Sequence, residues 1–270
     1  MTAPSATVRP SELLTEAHLL ADAAGAKILP HFRKALKVEN KHKGSGFDPV
    51  TIADMAAERA MRQAIRKRFP DHGITGEEYD VHASASRYTW VLDPIDGTRA
   101  FMCGLPTWGT LIGLLDGDAP IVGMMDQPYV RERFWAAGGK AQMRAADGRV
   151  RPIKTRKCAR LADAVLSATS MEIFATKSEL AAFNRIGEAT RMLRFGADCY
   201  AYCMLAAGHI DLVVEAGLKD VDIVALIPII EAAGGVVTSW NGGSPAAGGQ
   251  VIACGDPALH KAALAVLAGR

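Results

Sequence analysis

The 270-residue chain is 49% hydrophobic and 22% charged, the balance of a globular protein with enough sequence for a substantial core. A formal net charge of +2 predicts no strongly basic face, which argues against nucleic acid as a partner. With no charged-then-apolar leader and no run of about 20 apolar residues, the expectation is a cytoplasmic protein with no membrane role.

Residues 11–34 place Leu13, Leu14, Ala17, Leu20, Ala21, Ala24 and Ile28 at helical spacing, with Ser11 as the expected N-cap. The Gly/Ser/Pro-rich stretch KGSGFDPVT, 43–51, reads as a loop. It leads into a second helix that carries Ala53, Ala56, Ala57, Ala60, Met61 and Ile65 on one side and stops at Pro70. Asp54 falls in the first turn of that helix, where the macrodipole favours a carboxylate. The pattern then changes. YTWVLD, TLIGLLDG, PIVGMMDQP and ERFWAAG are short apolar runs between turn residues, which predicts a largely antiparallel sheet to about residue 150.

From about residue 160 the reading alternates. A helix is expected at 178–189, a strand at 191–195, a helix after Gly196 and a strand at DLVVEA. These precede a helix over DIVALIPIIEAA, strands at GVVTSW and VIACG, and a last helix from about 257. The division is therefore an α+β half over 1–150 and an α/β half over 151–270, the first with most candidate metal residues and the second with the last of them. The five cysteines, at 103, 158, 199, 203 and 254, contain no CxxC pair and read as reduced core residues. Cys199 and Cys203 lie four apart, but nearby Tyr and Leu favour core over metal binding. No HExxH, P-loop or strand-linked GxGxxG occurs, which argues against nucleoside triphosphate or dinucleotide binding.

The acidic residues carry the chemistry. Glu77 and Glu78 follow Gly76, while Asp93 and Asp96 close a strand at 89–93 around Pro94. Asp220 and Asp222 open an apolar helix, as Asp54 opens another. Asp-Pro followed by Asp-Gly is ordinary turn chemistry. The same residues could also form a hard-oxygen platform for Mg²⁺, with the Ile95 carbonyl between two carboxylates and the amides of Gly97 and Thr98 facing a phosphate. Spacing alone leaves both readings open.

Four motifs in register resemble the inositol monophosphatase family. They are VTIAD at 50–54, GEE at 76–78, the complete DPIDGT at 93–98, and VDIVALIPIIEAAGG at 221–235. Val221 stands where that family usually has an aromatic residue. The resemblance implies a layered αβαβα sugar-phosphatase fold and a Mg²⁺-dependent phosphomonoesterase with two or three ions. It implies that Glu77, Asp93 and the Ile95 carbonyl hold one ion, and that Asp93, Asp96 and Asp222 hold a second. A third would sit near Glu77 through waters. Gly97 and Thr98 would bind phosphate, and Asp54 and Thr98, with Glu77, would serve an attacking water. A homodimer is implied as well.

RFGADCYAYC at 194–203, AGHIDLVVEAGLK at 207–219, WGTLIGLL and ALIPIIE further resemble the family's histidinol-phosphate phosphatase branch. Asp220-Val221 departs from the Pro-aromatic pair common there. The substrate this implies is L-histidinol phosphate, an intermediate of histidine biosynthesis, with Asp96, Asp198, Glu215 and Asp222 as its contacts. Asp198 and Glu215 are the expected partners of its cation. The alternatives are a broad inositol-1-phosphate phosphatase, a 3′(2′),5′-bisphosphate nucleotidase, or a metal-binding regulatory module without catalysis.

Overall fold

The computed structural model describes residues 10–34, 38–40 and 49–269. Helix α1 (Pro10–Ile28) buries Leu13, Ala17, Leu20, Ala21, Ala24 and Ile28 as their spacing predicts. Ser11 lies inside its first turn rather than capping it, because the helix already begins at Pro10, a residue suited to a first turn. The helix also ends before residue 34. Pro30 offers no N–H to continue the ladder, and Leu29 to Lys34 close isolated turns instead.

Of the expected loop at 43–51, residues 43–48 lie outside the described residues. Its end forms β2 (Pro49–Thr51), antiparallel to β1 (Val38–Asn40). Helix α2 (Ile52–Arg68) follows at once, capped by a reciprocal box in which Thr51 and Asp54 bond each other's backbone.

The antiparallel region is a seven-stranded sheet in strict chain order. It contains β3 (Gly73–Gly76), β4 (Tyr88–Asp96) and, after the short helix α3 (Thr98–Met102), β5 (Gly109–Asp116), β6 (Ala119–Gln127) and β7 (Glu132–Ala137). Strands β8 (Lys140–Arg144) and β9 (Val150–Pro152) complete it. One pairing departs from the antiparallel expectation: β3 runs parallel to β4.

The second sheet begins with β10 (Val165–Ala168), a strand whose four residues are too short a run to stand out in the sequence. Helix α4 (Lys177–Ala189), β11 (Met192–Phe195), α5 (Asp198–Ala206) and β12 (Leu212–Leu218) follow close to their expected positions. The single helix expected over DIVALIPIIEAA is two, α6 (Asp220–Ile223) and α7 (Leu226–Ala232). Pro228 explains the restart, since one continuous helix would need its missing N–H to reach Val224. Strands β13 (Val236–Ser239) and β14 (Gly249–Cys254) and helix α8 (Pro257–Leu267) end the chain, with sheet order β11-β10-β12-β14-β13.

Three apolar clusters stack these elements into five layers. Helices α1 and α2 pack on Trp90, Leu92, Ile112 and Leu114 of the first sheet. Helices α5 and α7 fill the middle, touching Leu111, Met125 and Phe134 on one side and Val213, Val237 and Val251 on the other. Helices α4 and α8 cover the outer face of the second sheet. This is the layered αβαβα arrangement. Of the cysteines, 199, 203 and 254 are buried, whereas Cys158 is half-buried and Cys103 is exposed, so the core expectation fails for those two. Among the described residues no helix is long and apolar enough to cross a membrane.

Candidate active site

The centre of the site is the end of β4. Pro94 interrupts the ladder with β5, whose register shifts between Asp93 and Asp96. Two hydrogen bonds set the resulting turn: Ile95 N–H donates to Asp93 Oδ1 at 3.0 Å, and the buried Thr110 hydroxyl donates to the Pro94 carbonyl at 2.8 Å. Gly97 then adopts φ 81°, and a Cβ there would lie 3.1 Å from both Cβ and Cγ of Asp198. Only glycine combines that backbone with that approach. Thr98 opens α3 and its hydroxyl donates to the Ile95 carbonyl at 3.1 Å.

The turn brings Asp93 and Asp96 to Asp222. One oxygen from each of these three carboxylates lies within 4.8 Å of the others. Asp222 is aimed by the α6 N-terminus, where its Oδ2 accepts Lys219 N–H at 2.7 Å. Asp96 Oδ2 accepts Cys199 N–H at 2.8 Å, tying the first sheet to α5. Glu77 stands outside this tightest group, with its Oε1 accepting from Lys219 Nζ at 3.0 Å. It is still close enough that its charge, after burial, is the largest influence raising the Asp93 pKa.

The clustered carboxylates oppose one another's charge. Burial pushes Asp93 and Asp96 well above the carboxylate range, and repulsion from neighbouring carboxylates adds to it. Burial likewise raises Asp54 and Asp222 to about 6. Asp54 divides its work: Oδ2 accepts from Thr51 N–H and hydroxyl at 2.9 and 2.6 Å, while Oδ1 is buried without a hydrogen-bond partner. So many converging oxygen donors, one left unsatisfied, fit a hard divalent ion such as Mg²⁺.

Beside these carboxylates lies an open cleft of about 530 Å³, bordered by Asp96, Thr98, Asp198, Glu215, Lys219 and Asp222. Asp198 heads α5 at φ 43°, an uncommon backbone for a non-glycine residue, and burial raises its pKa to about 6. Glu215, the other expected partner of a substrate cation, is also held by the protein. Its Oε1 accepts from Thr169 N–H and hydroxyl, and its Oε2 from Tyr202 hydroxyl, at 2.8, 2.6 and 3.1 Å. Burial still lifts it to about 7 against those bonds.

Of the site residues singled out from the sequence, Asp96, Gly97, Thr98, Asp198, Glu215 and Asp222 border the cleft and Asp93 clusters with Asp96 and Asp222, whereas Asp54, Glu77 and Ile95 do not line it. Sequence reasoning missed the residues that hold them: Thr110, Thr169, Tyr202 and Lys219, and Glu58 and Arg62 on α2. For the last two a signal existed, since Asp54, Glu58 and Arg62 recur every fourth residue on the apolar side of α2.

A family model described as "Inositol monophosphatase family" matches residues 9–269. The bifunctional phosphatase IMPL2, chloroplastic, of Arabidopsis thaliana is 41% identical over 257 residues, covering 91% of this chain and 72% of that protein. A histidinol-phosphatase of Mycobacterium tuberculosis is 34% identical over 206 residues, covering 76% of this chain and 79% of its own. Among solved structures, an inositol monophosphatase from Zymomonas mobilis superposes with a TM-score of 0.85 at 39% identity, over 97% of this chain and 99% of that one.

Proposed function

Because this chain belongs to the inositol monophosphatase family, and is a phosphatase, we propose that it hydrolyses L-histidinol phosphate to L-histidinol and phosphate. One observation carries this choice. Beyond Asp96 and Asp222 of the clustered carboxylates, the cleft is lined by Asp198 and Glu215, and by Glu172, which is paired with Arg99. A polyol needs only hydroxyl partners, whereas an amino alcohol brings a cation that rewards such carboxylates. The relative named a histidinol-phosphatase favours the same reading.

Glu77, Asp93 and the Ile95 carbonyl would hold one Mg²⁺, and Asp93, Asp96 and Asp222 a second, with a third near Glu77. Bound Mg²⁺ supplies Lewis-acid stabilisation of charge on the phosphoryl oxygens. The chain's residues supply position and proton transfer. Asp54 Oδ1 is the acceptor for a proton of the attacking water, and its elevated pKa of about 6 suits that task near neutral pH. The Thr98 hydroxyl orients the same water, and the amides of Gly97 and Thr98 donate to the phosphate. Asp96 and Asp222 border the substrate's ester side, while Asp198 and Glu215 face its ammonium and imidazole.

A second reading, an inositol-1-phosphate phosphatase, is favoured by the 39% identity to the Zymomonas enzyme. Phosphate release from a panel of monoesters, with and without Mg²⁺, separates the two. We expect Mg²⁺-dependent turnover with kcat/KM at least about tenfold higher for L-histidinol phosphate than for inositol 1-phosphate, the equivalent of one good charged contact. A higher value for inositol 1-phosphate would replace the first reading with the second.

A further inference from the structure

The candidate metal loop is suspended from α2 by a buried ion pair. Glu58 and Arg62 are nearly inaccessible, at 0% and 5% exposure, in a helix whose outer face is well supplied with charge. Arg62 Nε donates to Glu58 Oε1 at 2.7 Å. Its two terminal nitrogens, Nη1 and Nη2, donate to the carbonyls of Asp80 and Tyr79, each at 3.0 Å. Glu58 Oε2 accepts Glu78 N–H at 2.8 Å. The Tyr79 hydroxyl returns to α2, donating to the Met55 carbonyl at 3.2 Å and accepting from Arg59 at 3.0 Å. The segment that presents Glu77 is therefore gripped through its backbone at 78, 79 and 80.

The fit from the other side is equally close. A Cβ on Gly76 would lie 2.1 Å from Glu58 Oε1. Gly76 in the GEE motif thus makes room for the Glu58 carboxylate beneath the loop. The same helix row carries Asp54 one turn earlier, so one rigid rod bears the carboxylate with the unpartnered oxygen and the anchor of the Glu77 loop.

We propose that Glu58 and Arg62 are positioning residues for the divalent-ion site: they fix Glu77 relative to Asp93, and so set the affinity for the ion, without touching substrate or ion. This inference rests on the proposed role of Glu77 as a metal ligand. A buried pair removed from one side is costly, which explains why both charges are present together. Outer-shell partners of ligands typically govern metal affinity by about 10–100-fold. Arg62 is also the one cation that could serve here, because its fork reaches three acceptors in different directions and lysine cannot.

The test is Mn²⁺ titration by calorimetry on the full-length protein, for wild type, Glu58→Gln, Arg62→Lys and Gly76→Ala, with melting temperature recorded for each. We expect Mn²⁺ affinity to fall about 10–100-fold in all three variants. The Mg²⁺ concentration for half-maximal activity should rise in parallel, while KM for the phosphate ester at saturating Mg²⁺ stays within about threefold. Lower melting temperatures with Mn²⁺ affinity within about twofold of wild type would reduce the pair to a structural role and overturn the proposal. If Glu58→Gln fails to fold, Arg62→Lys and Gly76→Ala, which keep the carboxylate, decide the matter by the same criteria. Wild type that binds no Mn²⁺ would instead refute the metal-site reading beneath it.

Discussion

At the residue scale, the carboxylates are held in an arrangement that disfavours their own charges. Asp93 is buried, and Glu77, Asp96 and Asp222 all raise its pKa further. Asp93→Asn should therefore abolish turnover and weaken divalent-ion binding together. It should also raise the metal-free melting temperature at pH 8, by about 2–4 °C if about 1 kcal/mol of repulsion is relieved. Calorimetry with and without chelator checks both signs. Asp198→Ala should raise KM for L-histidinol phosphate about tenfold, with little change for an uncharged sugar phosphate, as measured by steady-state kinetics on both esters. Equal effects on the two would remove Asp198 from cation recognition. Residue types and order announced these positions well, because DPIDGT and GEE are short and contiguous. Thr169 and Tyr202 were not legible: each matters only through Glu215, 46 and 13 positions away, and nothing local marks them.

At the scale of elements, legibility followed length and periodicity. Helices α1 and α2 announced themselves by their apolar stripes, and β4 to β7 by short apolar runs between turn residues. The pairing of β3 with β4 was hidden, since nothing within four residues specifies the direction of a neighbour. So was the junction of α6 and α7. That junction rests on a floor of two glycines, Gly113 and Gly123, which face each other across β5 and β6. A Cβ on Gly123 would meet the Ala225 carbonyl oxygen at 2.0 Å, and one on Gly113 would meet Val224 Cγ1 at 2.7 Å. Gly123→Ala should push the junction off the sheet and cost about 1–3 kcal/mol, read as a lower denaturant midpoint. Because Asp222 sits one short helix earlier, the same variant should bind Mn²⁺ more weakly.

For the whole molecule, the acidic cleft couples stability to pH. Burial holds Asp54, Asp198 and Asp222 at about 6 and Glu215 at about 7, all above their ordinary values. A group raised on folding favours the native state below its unfolded pKa, and that contribution is lost as pH rises through the folded value. His18 acts in the opposite sense, since burial lowers it to about 4 and its stabilising contribution is lost as pH falls toward that value. The metal-free protein should thus lose melting temperature as pH rises from about 4 through about 7, with His18 opposing part of that loss below about pH 6.5. Mg²⁺ should restore that loss at the upper pH and do little at about pH 5, where protonated carboxylates bind it poorly. Thermal scans across that range, with EDTA or with Mg²⁺, test the sign directly.

Asp96 and Cys199 are joined by a hydrogen bond across 103 positions of chain, and Glu77 and Lys219 across 142. Contacts that span so much sequence close late in folding, after nearer pairings have been made. The first sheet can acquire most of its order before Asp222 arrives. A divalent ion that needs Asp93, Asp96 and Asp222 at once would then find no complete site in the folding transition state. Mg²⁺ should slow unfolding while leaving the refolding rate nearly unchanged, a separation that stopped-flow measurements in both directions can resolve. The ion would act as a latch on a finished protein rather than a seed for its assembly.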